Sequence, residues 1–133
     1  MKISNDLDGF FKFLKRNESK KIFIITGKNS FSKSGAKKLL NLNSKKKLGI
    51  YYKKNLYPEI SELKKIFFEV KKFNPKIIFA IGGGSVIDYA KIVSVLDNSK
   101  EIKKIIVKKR LRKKKYLTVA VPTTAGSGAE VTP

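Results

Sequence analysis

Continuous apolar runs divide the chain and predict four buried strands. Each run is rich in β-branched and aromatic residues and has no polar face, as in strands that are covered on both sides of a sheet. The four runs occupy residues 22–26, 48–52, 77–81 and 117–121. Glycine or proline directly follows three of them, which marks their ends.

Between the strands, apolar residues recur at helical spacing. The clearest apolar face extends from Ile60 to Phe73, with Pro58 where this helix would start and Asn74-Pro75 where it would stop. Residues 27–30 are predicted to break the first strand. The predicted helices cover residues 5–16 (capped by Asn5 or Asp6), 34–40, 58–73 and 85–96 (capped by Ser85).

This alternation of strands and helices predicts an α/β fold. Strands separated by helical segments form parallel sheets through crossover connections. We therefore expect a doubly wound, Rossmann-like parallel sheet that is flanked by helices on both faces. The 133 residues suffice for one domain, so residues 1–133 are assigned to a single unit.

The strong positive charge leaves two interpretations open. The chain has 31 basic and 10 acidic residues, a formal net charge of +21, and only Arg16, Arg110 and Arg112 among its basic residues are arginine. A nucleic-acid or anionic-surface binder is one interpretation. The other is compositional drift towards AT-rich codons, which favours lysine. Because arginine suits phosphates and base edges better than lysine, we favour drift.

Residues 103–115 carry much of this charge, with nine basic residues among 13. They could form a polyanion-binding patch or a solvated connection between a helix and the last strand. No aromatic side chain interrupts them before Tyr116, so a platform for stacking nucleotide bases is poorly supported. We favour the solvated connection.

Several classes of protein are excluded by what the sequence lacks. It has no cysteine and no histidine, which removes disulfides, thiolate and imidazole chemistry, and metal sites built from those side chains. No apolar run of 18 residues is present, and the first residues lack the apolar stretch of a signal peptide. We expect a cytoplasmic protein without membrane contact.

A glycine triplet provides the sharpest candidate site. Gly82, Gly83 and Gly84 follow a predicted buried strand, and a helix is predicted to start at once. Unpaired N–H groups and the helix dipole favour a phosphate at such a start, although a tight turn is the simpler alternative. Asp88 and Lys91 lie one turn along the same helix, where they could also form a surface ion pair.

A second glycine-rich segment follows the last strand. It carries three hydroxyls, those of Thr123, Thr124 and Ser127, which suit hydrogen bonding to a phosphate or a ribose. In a parallel sheet both segments would emerge at the carboxyl edge, where ligands bind. A flexible linker is the alternative interpretation.

Together the two segments resemble the iron-containing (group III) alcohol dehydrogenases of the dehydroquinate synthase-like superfamily. Residues 82–91 match every fixed position of that family's motif Gly-Gly-Gly-Ser-x-x-Asp-x-Ala-Lys. Residues 122–132 match Pro-Thr-Thr-Ala-Gly-Thr-Gly-Ser-Glu-Val-Thr, except that Ser127 replaces threonine and Ala129 replaces serine. The resemblance covers the N-terminal nucleotide-binding part of the family, so the fold is expected to be incomplete at its C-terminus.

The resemblance implies a set of cofactor-binding residues. Gly83, Gly84 and Ser85 would hold the pyrophosphate of a dinucleotide, and Asp88 would lie near the nicotinamide-side ribose and phosphates. Lining the nicotinamide half of the cleft would be Thr123, Thr124 and Ser127. Tyr57 stands where many relatives have the asparagine of a Pro-Asn-Pro sequence, which affects one expected cofactor contact.

The resemblance also bears on the choice between NAD and NADP. Many relatives have an acidic residue after the first strand, where it binds the adenosine ribose 2′-OH. Gly27 occupies that position here and is followed by Lys28, Asn29 and Ser30. Without the carboxylate, and with the Lys28 cation and small hydrogen-bond donors beside it, this position favours the 2′-phosphate of NADP over the 2′-OH of NAD. Gly27 and Ser30 are therefore included among the expected cofactor-binding residues.

The implied activity is hydride transfer between NAD(P)(H) and an alcohol or carbonyl substrate. Relatives use an active-site metal, usually iron or zinc, for this reaction. The family's metal ligands, an aspartate and about three histidines, come from a helical domain beyond the second motif. We therefore identify no catalytic residue and no metal ligand here, and expect the chain alone to be inactive.

The expected partners are a second copy of the chain, in a homodimer, or a complementing C-terminal chain. Nucleic acid is not an expected partner. A non-catalytic polyanion-binding module and a gene fragment without function remain alternatives.

Overall fold

The chain forms a five-stranded parallel sheet. The computed structural model describes residues 2–3, 21–33, 48–103 and 115–123, together with positions 9, 12 and 16. Its strands lie in the order β1-β5-β4-β2-β3, and every neighbouring pair is parallel. They are β1 (Lys2–Ile3), β2 (Ile22–Thr26), β3 (Leu48–Tyr52), β4 (Ile77–Gly82) and β5 (Leu117–Pro122).

The four predicted strands are confirmed. All residues of β2 and β4 are buried, as expected for strands with apolar side chains on both faces. Strand β3 is only half-buried because it has a neighbour on one side alone. Strand β1 escaped prediction because two residues are too short for a hydrophobic pattern.

Among the residues described between β2 and β5, three α-helices are present: α1 (Lys28–Lys33), α2 (Ile60–Phe73) and α3 (Gly84–Val93). Helix α2 starts shortly after Pro58 and ends where predicted. Asn74 adopts the left-handed conformation (φ 54°), its N–H donates to the Val70 carbonyl, and Pro75 prevents continuation. A short 3₁₀ helix, Ser99–Glu101, follows α3.

Two predicted helix boundaries are wrong. The predicted break over residues 27–30 is confined to Gly27, because α1 begins at Lys28. The buried Phe31 side chain anchors this helix, and the backbone N–H of Phe31 donates to the Gly27 carbonyl at 2.9 Å. Helix α3 ends at Val93 rather than near Leu96. The Ser94 hydroxyl donates to the Lys91 carbonyl at 2.7 Å, a local bond that competes with the helical pattern.

Two other predicted helices fall largely outside the described residues. Residues 34–40 lie wholly outside them. Within residues 5–16, Gly9 and Lys12 are helical, as is Arg16, in agreement with the predicted helix. Most of the basic connection, residues 104–114, also lies outside.

Helices cover both faces of the sheet, which confirms the doubly wound architecture. Helices α2 and α3 pack on one face, against a cluster that includes Ile25 and Ile78. The Phe31 side chain of α1 packs on the other face with Ile24 and Phe79. Within the described part of the chain, every helix is too short or too polar to traverse a lipid bilayer.

The order of the strands creates a crevice at one position of the sheet. From β2 the chain moves to β3 on one side, and then returns to place β4 on the other side of β2. At such a reversal, the loops that leave the carboxyl ends of the two central strands diverge, and ligands of doubly wound proteins bind there. The carboxyl ends of β2 and β4, at Thr26 and Gly82, flank this crevice.

Candidate functional site: the carboxyl edge of the sheet

The glycine-rich turn joins β4 to α3 at the crevice. Gly82 has φ +156°, and a Cβ built on it would lie 3.1 Å from Cγ2 of Val86, so a larger residue is disfavoured on two counts. Gly83 is the N-cap, in an extended conformation, and it makes no side-chain cap bond. The prediction that Ser85 caps this helix is therefore wrong, since Ser85 lies in its first turn.

This helix start offers unused donors. The backbone hydrogen bond from the Ile87 N–H to the Gly83 carbonyl (3.2 Å) closes the first turn of α3. The N–H groups of Gly84, Ser85 and Val86 come before that bond in the helix. They therefore have no helical carbonyl four residues earlier to which they could donate. Since no side chain caps them, and the helix dipole adds partial positive charge, the turn fits a phosphate group.

Hydrogen bonds tie the ends of β2, β4 and β5 together around this turn. The Thr26 hydroxyl, fully buried, donates to the Ile81 carbonyl at 2.6 Å. The Thr123 N–H donates to the Gly82 carbonyl at 3.1 Å. These bonds fix the glycine-rich turn relative to both neighbouring strands, so its donors are held in place before any ligand arrives.

The structure brings several predicted site residues together. The Thr123 hydroxyl donates to the Ser30 hydroxyl at 3.3 Å, which joins the end of β5 to helix α1 across the end of β4. Gly27 lies beside them, and a Cβ on it would be 3.7 Å from the Ser30 oxygen. Thr124 and Ser127 lie outside the described residues.

Asp88 occupies the second turn of α3. Partial burial of its carboxyl raises its pKa above the usual 3.8, and the nearby Lys91 ammonium opposes that shift without cancelling it. The residue as a whole is nevertheless exposed, which leaves it accessible to a ligand. The interpretation of Asp88 and Lys91 as neighbouring charges agrees with this electrostatic effect.

Lys53 is a site residue that the sequence analysis missed. It directly follows β3, and its ammonium donates to the Ser85 hydroxyl at 2.7 Å. The side chain thus extends from the end of β3 to the glycine-rich turn after β4. The sequence signal was its position directly after a predicted strand, the same position that Gly27 and Gly82 occupy after theirs.

A basic cavity adjoins Lys53. Its volume is about 840 Å³, and it lies along the outer edge of β3. Glu69 is the one acidic residue among those that line it, whereas four lysines do so: Lys28, Lys53, Lys54 and Lys65. The excess of positive charge favours an anionic ligand.

A buried carboxylate fixes the loop that follows Lys53. Glu62, on α2, is only 2% exposed. It accepts hydrogen bonds from the Lys54 N–H (2.7 Å) and from the hydroxyls of Tyr51 and Tyr89 (both 3.2 Å). The Tyr89 oxygen in turn accepts the Glu59 N–H at 2.8 Å. Both ends of the loop are therefore tied to this group.

The described residues do not fit a metal ion. They contain no group of three or more histidine, cysteine, aspartate or glutamate side chains that could hold one. The full sequence has no histidine or cysteine at all. No step of a reaction is therefore derived through a metal.

Similarity to known proteins agrees with this arrangement. Residues 4–133 match the sequence model of iron-containing alcohol dehydrogenases. An alcohol dehydrogenase of Thermococcus barophilus is 37% identical over 82 residues, 56% of this chain and 22% of that protein. Aldehyde-alcohol dehydrogenase 2 of Entamoeba histolytica is 30% identical over 132 residues, 87% of this chain and 15% of that protein.

Solved structures share the fold over the whole chain. An iron-containing alcohol dehydrogenase of Thermotoga maritima superposes with a TM-score of 0.75 and 27% identity, over 100% of this chain and 38% of that one. A sulfoacetaldehyde reductase of Bifidobacterium kashiwanohense, in complex with NAD⁺, gives 0.75 at 23% identity, over 98% of this chain and 36% of that one. The chain spans less than two fifths of each of these four proteins. By its sequence motifs, its fold and the match over residues 4–133, the chain belongs to the iron-containing alcohol dehydrogenase family.

Proposed function

We propose that this chain is the nucleotide-binding part of a metal-dependent alcohol dehydrogenase or aldehyde reductase. The observation that carries the proposal is the uncapped start of α3 at the crevice between β2 and β4. Gly83, Gly84 and Ser85 would bind the pyrophosphate of NAD(P) there through their N–H groups. Family membership and the NAD⁺ complex of one structural relative support the same assignment.

Family membership suggests roles for the other predicted site residues. Asp88 would lie near the nicotinamide-side ribose and phosphates, and Thr123 would line the nicotinamide half of the cleft, with Thr124 and Ser127. When bound, the cofactor supplies the hydride that passes to a carbonyl or is taken from an alcohol. The chain's own part is to bind and orient the dinucleotide. With no metal ligands among its described residues, it is not expected to reduce a carbonyl by itself.

We further propose that NADP is preferred over NAD. Gly27 provides no carboxylate to accept a bond from the ribose 2′-OH or to repel a 2′-phosphate. Lys28 contributes a cation to the adjoining cavity, and Ser30 contributes a hydroxyl. Replacing Gly27 by aspartate should therefore weaken NADPH binding relative to NADH, about tenfold or more.

A fluorescence titration of NADPH against the 133-residue chain tests the main proposal. The variant Gly83→Val places a side chain at the phosphate position, while the extended backbone of Gly83 (φ −85°, ψ −169°) accepts any residue. We expect unsubstituted chain to bind NADPH and Gly83→Val to bind it at least about tenfold more weakly. Equal affinity of a folded Gly83→Val variant would contradict the assignment.

A further inference from the structure

We propose that Lys53 binds the pyrophosphate of the dinucleotide, as a cation supplied by the third strand to the glycine-rich turn. The inference rests on the proposed function and adds a residue to it. The two matched family motifs, residues 82–91 and 122–132, do not include this position.

The Lys53 ammonium lies beside the start of α3. The Lys53 Nζ donates to the Ser85 oxygen at 2.7 Å and makes a longer bond of 3.4 Å to the Leu56 carbonyl. The serine belongs to the first turn of α3, beside the N–H groups that would hold a phosphate. A phosphate bound to those groups would therefore lie within reach of this cation.

Hydrogen bonds hold the backbone of Lys53 in place. Its N–H donates to the Thr26 carbonyl at 2.7 Å, which joins the backbone to the end of β2. Thr26 is in turn bonded to the Ile81 carbonyl of β4. The loop after Lys53 is held by Glu62 and Tyr89. A cation placed in advance loses little conformational entropy when it binds an anion.

The hydrogen-bond partners of the Lys53 ammonium in the described part of the chain are neutral. They are a serine hydroxyl and a carbonyl, and neither is a carboxylate. An ammonium is strongly hydrated, and such neutral partners do not balance its charge. A pyrophosphate would supply the missing negative charge, and a charge-assisted bond is stronger than the neutral contact to Ser85.

Calorimetric titration with ADP tests this role in the 133-residue chain. Lys53→Met keeps the length of the side chain and removes its charge, and Lys53→Arg keeps the charge. Lys64→Met is the matched control, since Lys64 is exposed on α2 and does not line the cavity, but its loss lowers the net charge equally. Inorganic pyrophosphate, as a second probe, isolates the contribution of the phosphates.

We expect Lys53→Met to weaken both ADP and pyrophosphate about tenfold or more, and Lys53→Arg and Lys64→Met to stay within about threefold of the unsubstituted chain. Equal affinities for Lys53→Met and Lys64→Met would overturn the role of Lys53. Weakening of ADP but not of pyrophosphate would overturn the contact with phosphate. If the unsubstituted chain bound neither probe, the proposed function itself would fail together with this inference.

Discussion

At the scale of single residues, the site depends on a backbone conformation that only glycine adopts readily. Gly82 combines a positive φ with a short distance to Val86, and both follow from the sharp passage from β4 into α3. Gly27 also ends a strand at the crevice, but no positive φ is recorded for it, and a Cβ there would make an ordinary contact of 3.7 Å. The backbone therefore requires glycine at position 82 but not at position 27, where the proposed preference for NADP offers a chemical reason instead.

Alanine substitutions should separate these two reasons. We expect Gly82→Ala to lower the free energy of unfolding by about 1–3 kcal/mol, because the strained backbone and the contact with Val86 must both be accommodated. Gly27→Ala should change it by less than about 0.5 kcal/mol. Urea denaturation of the two variants measures this difference. Equal losses would show that Gly82 is not strained in the folded protein.

Asp88 gives a pH dependence with a definite sign. Its pKa is raised in the folded chain, so the folded state holds the proton more tightly than the unfolded state does. Stability from this group is thus fully present below the unfolded value of 3.8, and it is lost as the pH rises from there through the higher pKa of the folded state. We expect Asp88→Asn to match the unsubstituted chain at pH 3 and to be more stable than it at pH 7. Thermal unfolding at the two pH values measures this, and a less stable variant at pH 7 would contradict the pKa direction.

At the scale of elements, the sequence predicts the core strands well and the short elements poorly. Strand β4 is recognisable because its residues are all apolar, and α2 because its apolar face repeats over four turns. Helix α1 is hidden, since only Phe31 of its six residues is buried and the others resemble a loop. Strand β1 depends wholly on pairing with β5, which no local pattern reveals.

The site was predicted in part for a similar reason. The glycine-rich turn could be identified because a strand, three glycines and a helix follow one another in the chain. Lys53 and Ser85 are 32 positions apart, and only the order of the strands brings them together. The Glu62 network likewise joins β3, α2 and α3, and nothing in the sequence marks this glutamate as buried.

The contact between Tyr51 and Glu62 predicts the pH at which the Tyr51 hydroxyl ionises. Burial and the neighbouring Glu62 carboxylate raise the pKa of Tyr51 to about 12. Since the ordinary value is 10.0, stability from the neutral Tyr51 is present below pH 10 and is lost between pH 10 and about 12. In an absorbance titration of tyrosinate, subtracting the curve of Tyr51→Phe from that of the unsubstituted chain should leave a step near pH 12. Tyr57→Phe, at a site 74% exposed and outside the network, is the control. A Tyr51 step near pH 10 would contradict the burial of this hydroxyl beside the Glu62 carboxylate.

At the scale of the whole molecule, the net charge of +21 allows two kinds of anion binding. A diffuse basic surface attracts any polyanion, and its affinity falls steeply with salt concentration. A phosphate held by N–H groups at a helix start depends on fixed geometry, and its affinity falls less steeply. The family match and the arrangement of the crevice favour the second kind over a polyanion-binding module.

Amide chemical shifts of the ¹⁵N-labelled chain, followed during a titration with NADPH, distinguish these two kinds of anion binding. If the dinucleotide binds at the start of α3, we expect the largest shifts at the backbone N–H groups of Gly83, Gly84, Ser85 and Thr123. These shifts should persist at 0.5 M salt, taken as roughly threefold above physiological ionic strength. Shifts that were spread over the lysine-rich surface and disappeared with salt would contradict it, as would an absence of shifts at the glycine-rich turn.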